Sequence, residues 1–141
     1  MRAFQVSKMR GSYCLIIKVL SDFGVRAGAL GKIRFEHGHY AYIGSAMNSL
    51  EKRIGRHLKK EKKKHWHIDY MLAKKQAKIA SVFVKESKAK EECNIAKKVA
   101  RIGKAVRGFG CSDCSCKAHL FKVNVHELEK LLKREGFEKW R

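Results

Sequence analysis

The segment Tyr13–Leu20, YCLIIKVL, constrains the fold of this chain more than any other stretch. It is short, rich in Ile, Leu and Val, and broken only by Lys18, so it reads as a β-strand buried on both faces. Such a strand belongs inside a sheet that helices cover. His39–Ile43 (HYAYI), ending at Gly44, reads as a second core strand, and Ile79–Val84 (IASVFV) as a third. Between the first two, Gly24–Gly38 holds glycines and short alternating stretches, including Lys32–Glu36, and reads as an extra hairpin. Phe121–Val123 is expected as an edge strand.

Helical signals alternate with these runs. Asn48 followed by Glu51 is a capping-box pattern, and Leu50, Ile54 and Leu58 continue it as an apolar stripe. Arg53 and His57, four residues apart, stand together beside that stripe. The helix runs out in Lys59–Lys64 (KKEKKK), and His65–Leu72 (HWHIDYML) is open between a short helix and a strand. Ser87 is expected to cap a helix over Lys88–Ile102, stopped by Gly103. Asn124, with Glu127 three residues on, opens a last helix with the stripe Val125, Leu128, Leu131 and Leu132. The order predicts an α+β domain, its early strands antiparallel. With no proline, Gly/Ser linker or internal repeat, residues 1–141 read as a single domain.

Charge narrows the partner. The chain carries 33 Lys plus Arg against 13 Asp plus Glu, so 33 − 13 gives +20. A hydrophobic content of 45% excludes a disordered basic tail. Nucleic acid is the first anionic partner to expect, through counterion release from phosphates. A membrane surface would want a basic amphipathic helix with an exposed apolar face, so no membrane partner is expected. A solvated, lysine-rich surface is the plain alternative. Met1–Arg10 lacks an apolar core, and Tyr13–Leu20 is too short to span a bilayer. Of the five cysteines, Cys14 and Cys93 sit at apolar-periodic positions, while Cys111, Cys114 and Cys116 cluster. The odd count points to a reducing cytoplasm.

Several residues could carry chemistry. Glu92 shares a helix face with Ile95, Ala96 and Val99, whereas Glu91 points about 100° away. A carboxylate on a packing face is costly unless it is paired or ligates a metal; pairing at the rim with Lys or Arg is the alternative. Tyr13 and Tyr42 sit at strand ends, where tyrosines usually serve as amphipathic core residues. Gly44-Ser45-Ala46 suits a tight turn equally well. From Lys52 to Lys64, eight of thirteen residues are Lys or Arg. That run is either a solvated face or a track for backbone phosphates without base specificity. Trp66 could stack on an unpaired base or belong to the core. Cys111, Cys114, Cys116 and His119 are zinc-type ligands, but they lack two separated pairs; His65 or His67 could complete a set. Packed thiols or a redox-sensitive pair are the other readings. His65, His67 and Asp69 alternate, and His65 shares a face with Asp69 only if the segment is helical.

Taken together, the chain resembles the GIY-YIG nuclease superfamily, and within it a small stand-alone family long labelled a domain of unknown function. The first motif stands as Gly11-Ser12-Tyr13 and the second as Tyr42-Ile43-Gly44. Arg53 and His57 match the following helix, and Glu92 matches the glutamate of a later one. HWHIDY (His65–Tyr70) and GFGCSDCSCKAHLF (Gly108–Phe121) match the stand-alone family. Ser12 replaces the usual Ile, and the gap from Tyr13 to Tyr42 is longer than in minimal modules. The inserted hairpin would absorb that length at small loop-closure cost.

The resemblance implies a small central antiparallel sheet flanked by helices, and a metal-dependent endonuclease acting on DNA in preference to RNA. Glu92 would hold Mg²⁺ or Mn²⁺, and Arg53 would grip phosphate oxygens. Tyr13 would serve as base, its phenolate favoured by neighbouring cations and the metal, with His57 as an alternative base near neutrality. Tyr42 would position water. Lys52, Arg56, Lys59, Lys60, Lys62, Lys63 and Lys64 would track the strand. The chain has no room for a separate DNA-binding domain, which leaves a homodimer as one route to specificity. A non-catalytic nucleic-acid-binding module on the same scaffold is the competing reading, and a zinc-stapled interaction protein is a third.

Overall fold

The computed structural model describes residues 9–110, 116 and 118–140. β1 (Gly11–Val19) lies between β4 (Gly38–Ala46) and β5 (Ala77–Glu86), antiparallel to both. The full sheet runs β6-β7-β4-β1-β5-β8, with β6 at Lys104–Ala105, β7 at Leu120–Val123 and β8 at Glu138–Lys139. All its pairings are antiparallel.

Alternation along β1 builds two cores. Tyr13, Leu15, Ile17 and Val19 face one side, where they meet Leu50 and Ile54 of α1 (Leu50–Leu58) and Ile68, Met71 and Leu72 of α2 (His67–Leu72). Cys14 and Ile16 face the other, against Ile95, Ala96 and Val99 of α3 (Glu92–Val99) and Leu128, Leu131 and Leu132 of α4 (Val125–Arg134). The fold is α+β, a central antiparallel sheet flanked by helices. The inserted segment forms a separate hairpin of β2 (Phe23–Arg26) and β3 (Lys32–Phe35), joined through a 3₁₀ turn at Gly28–Leu30. Its Phe23 and Phe35 join the α1/α2 core.

Local expectations needed three corrections, and one open reading is resolved. α1 is capped by Ser49, whose side chain accepts from the Lys52 N–H at 3.1 Å, so the cap lies one residue past Asn48. His65–Leu72 resolves as a helix from His67. α3 starts at Glu92, four residues later than expected, because the Ser87 hydroxyl donates to Ala89 O and Glu91 Oε2 and closes a turn instead. Finally, β7 sits between β4 and β6 and is not an edge. Gly103 owes its place to close approach: a Cβ there would stand 2.8 Å from the Lys122 carbonyl oxygen. No helix among the described residues is long and apolar enough to cross a membrane.

Candidate active site

Register brings the two motifs together. Tyr13 pairs with Gly44 across β1 and β4. A Cβ on Gly44 would overlap the Tyr13 phenol, so glycine is what lets that ring lie across the neighbouring strand. Tyr42 lies on the same face, its ring centroid 6.4 Å from that of Tyr13.

α1 adds the next layer. His57 is buried, and its Nε2 shares a 2.7 Å hydrogen bond with the Tyr13 hydroxyl. Nδ1 has no partner among the described residues. Burial, reinforced by Lys62, pushes His57 down to about 3, so its imidazole is neutral at physiological pH. Burial raises Tyr13 above the ordinary phenol range although Arg53 opposes it. Tyr42 is raised too, by burial first and Tyr13 second. Two expectations are thereby corrected: His57 does not titrate near neutrality, and nearby cations do not make Tyr13 a phenolate in the free protein. Desolvation outweighs them.

One turn before His57, Arg53 Nη1 donates to the Ser45 carbonyl at 2.9 Å. Its guanidinium lies over the Trp66 ring at 4.7 Å, and that of Arg56 lies over the same ring at 4.3 Å. Arg56 donates through both Nη atoms to Asp69, each at 2.8 Å. Asp69 is fully buried, and its Oδ2 also accepts from the His65 and Trp66 backbone N–H groups. Burial alone would raise this carboxyl, but Arg56 and the two N–H groups hold it down at about 2. HWHIDY therefore folds around Asp69, which fixes Arg56 and through Trp66 buttresses Arg53.

Tyr13, Tyr42, Arg53 and Glu92 line a single cavity of about 680 Å³, together with Lys52, Arg56 and Lys90. α3 packs its apolar stripe on the opposite face of the sheet, yet its first residue, Glu92, reaches this cavity. Glu92 Oε2 stands 3.8 Å from His119 Nδ1, and its side chain is 24% exposed. A partly exposed carboxylate is a ligand type for a hard divalent ion, and the cationic side chains around it would oppose that ion until phosphate oxygens supply balancing charge. His57 does not line the cavity; it backs Tyr13 from behind.

The basic run divides. Lys60 Nζ donates to the carbonyls of Leu72, Lys74 and Ala77. Lys62 Nζ donates to those of Arg56, His57 and Lys59, closing the end of α1. With Arg56 held by Asp69, these three cations serve the fold. Lys59, Lys63 and Lys64 are exposed, and Lys64 Nζ lies 5.9 Å from the Tyr70 ring centroid. Trp66 is partly buried and packs on the core while lining the cavity.

The expected zinc ligands Cys111 and Cys114 lie outside the described residues. Cys116 and His119 form a cluster with Cys93 that could bind a metal ion, their ligand atoms all within 4.8 Å of one another. Cys93 reads in sequence as an apolar-periodic residue; its only signal is adjacency to Glu92. Asp69 is visible as an acid, but nothing in the spacing names Arg56 as its partner.

The family described as "Domain of unknown function DUF123" matches residues 12–139. The chain belongs to the DUF123 family. No curated protein and no solved structure matches it. The DUF123 match spans every residue of the cavity described above, from Tyr13 to His119.

Proposed function

We propose that this DUF123 chain is a divalent-metal-dependent endonuclease of the GIY-YIG type that hydrolyses phosphodiester bonds in DNA, including structured DNA met in repair or processing. The observation that carries the reading is the shared cavity of Tyr13, Tyr42, Arg53 and Glu92, with His57 behind Tyr13. Glu92 would hold Mg²⁺ or Mn²⁺. When bound, such an ion polarises phosphorus and stabilises the leaving oxygen. Zinc belongs to different atoms, those of Cys93, Cys116 and His119.

The chain's own residues divide the remaining work. Arg53, anchored at Nη1 by Ser45, has further N–H groups for phosphate oxygens. Lys52 and Lys90 add positive charge along the cavity. With the imidazole proton on Nδ1, His57 Nε2 accepts the hydrogen bond of Tyr13. An attacking water then loses its proton to Tyr13 Oη as Tyr13 passes its own to Nε2. His57 becomes imidazolium, and the water oxygen bonds to phosphorus as the P–O bond to the leaving sugar oxygen breaks, that oxygen departing with the electron pair and taking a proton from solvent. A phosphate in the cavity favours that imidazolium electrostatically. Tyr42 orients the water. A homodimer would supply two such sites, one for each strand of a duplex. A reducing cytoplasm is the compartment that keeps the cysteines available as thiols.

A second reading also has an observation behind it. Both tyrosines are neutral phenols and His57 is held at about 3, so the free protein carries no ready base in this triad. A non-catalytic nucleic-acid-binding module fits that state. A screen of duplex, branched and single-stranded DNA, and of RNA, with Mg²⁺ or Mn²⁺ separates the two. The nuclease reading expects metal-dependent cleavage; tight, salt-sensitive binding with no cleavage of any substrate supports the module instead.

A further inference from the structure

We propose that Cys93, Cys116 and His119 form a zinc site that clips the first turn of α3 to the chain entering β7, and so steadies the Glu92 carboxylate. The site stands on its own atoms and does not depend on the cavity's being a nuclease site.

Three observations carry it. Cys93 Sγ and His119 Nε2 are 3.8 Å apart, and all three ligand atoms fall within 4.8 Å of one another. Two ligands of a tetrahedral zinc, with bonds of about 2.1 Å to nitrogen and 2.3 Å to sulfur, stand about 3.6–3.8 Å apart. The Cys93–His119 pair therefore already has the spacing an ion requires, and the other two pairs lie within about 1 Å of it.

The donors are also of the right kind. Two thiolates and an imidazole are soft and borderline ligands that select zinc over magnesium or calcium. Two thiolates neutralise a divalent cation, which suits half-buried cysteines beside a histidine that is 3% exposed.

The third observation is the mounting of the histidine. His119 N donates to the Phe109 carbonyl at 2.8 Å, and its own carbonyl accepts from Ile43 N at 2.9 Å. Its backbone is thus fixed to β4, one residue before Gly44. The ring turns Nε2 toward Cys93 and Nδ1 toward Glu92 Oε2. A carboxylate behind the second nitrogen is the usual outer partner of a zinc-bound histidine, and 3.8 Å leaves room for contact through a small shift or a water. Zinc on Nε2 would hold the ring in the tautomer that presents Nδ1–H to Glu92. Cys93 comes from a helix more than twenty residues before Cys116, so the clip joins elements distant in sequence.

The test uses the full-length protein purified without chelator. Elemental analysis is expected to find about one zinc per chain. Iodoacetamide labelling read by mass spectrometry should find Cys93 protected, and chelation should expose it. Cys93→Ser should lose the metal, and Glu92→Gln should weaken zinc about tenfold while retaining the site. Cobalt substitution should give thiolate-to-metal absorption that Cys93→Ser removes. If Cys93→Ser fails to fold, labelling of the wild-type protein decides alone. Zinc-free protein that stays zinc-free on reconstitution overturns the proposal. So does labelling of Cys93 at the same rate with and without chelator.

Discussion

Tyr13 and His57 form a buried polar pair, with Tyr13 lining the cavity and His57 behind it. Its energetics follow from charge. Below about pH 6.5 an unfolded histidine takes up a proton, whereas folded His57 refuses one until about pH 3. The unfolded state thus binds more protons in that window, and stability falls as pH drops through it. Asp69 acts in the same direction at lower pH: its folded carboxyl lies at about 2, so its contribution is present above the ordinary carboxylate range and lost as pH falls toward 2. Urea midpoints measured from pH 7 down to pH 3 should therefore decline, with a maximal slope of about 1.4 kcal/mol per pH unit from His57 alone. His57→Gln should flatten the upper part of that decline. Chemical type was legible in the sequence at this scale. Protonation was not, because it depends on desolvation by residues that come together only in the folded chain.

At the scale of elements, the site is held by three devices. These are the β1–β4 register at Gly44, the Ser49 cap of α1, and the Asp69 junction between α1 and α2. The junction matters most, since Asp69 satisfies two Arg56 N–H groups and two backbone N–H groups from a fully buried position. Asp69→Ala leaves those donors and a guanidinium without their partner, and thermal or urea unfolding should register a loss of about 3–5 kcal/mol. Asp69→Asn, which keeps the shape without the charge, should fall between. The three core strands and the last helix, though not the two-residue strands β6 and β8, were readable from pattern: the Asn124 cap accepts from Glu127 N as its spacing implied. The start of α3 was not, because the Ser87 hydroxyl had two uses and the choice went to Glu91 and Ala89. A capping residue in a sequence states a capability, and its neighbours decide how it is used.

Across the whole molecule the +20 charge is unevenly available. Lys60 and Lys62 turn their ammonium groups inward onto carbonyls, whereas Lys52 and Lys90 line the cavity. The salt dependence of DNA binding should reflect that division. Replacing Lys52 and Lys90 with Ala should lower the slope of log K against log salt by about one for each lysine. Replacing Lys60 or Lys62 should reduce stability while leaving that slope nearly unchanged. Run length in the sequence overstated the cationic surface, because a lysine beside a helix end can also serve as its cap. The candidate site residues fared differently: Tyr13, Tyr42, Arg53 and Glu92, far apart along the chain, share a cavity, and His57 lies behind it. Glu92 is the residue on which the proposed nuclease depends. Glu92→Gln, assayed for DNA cleavage with Mg²⁺ or Mn²⁺ and for DNA binding in parallel, should abolish cleavage while binding survives; cleavage at the wild-type rate would show that Glu92 is not the metal ligand.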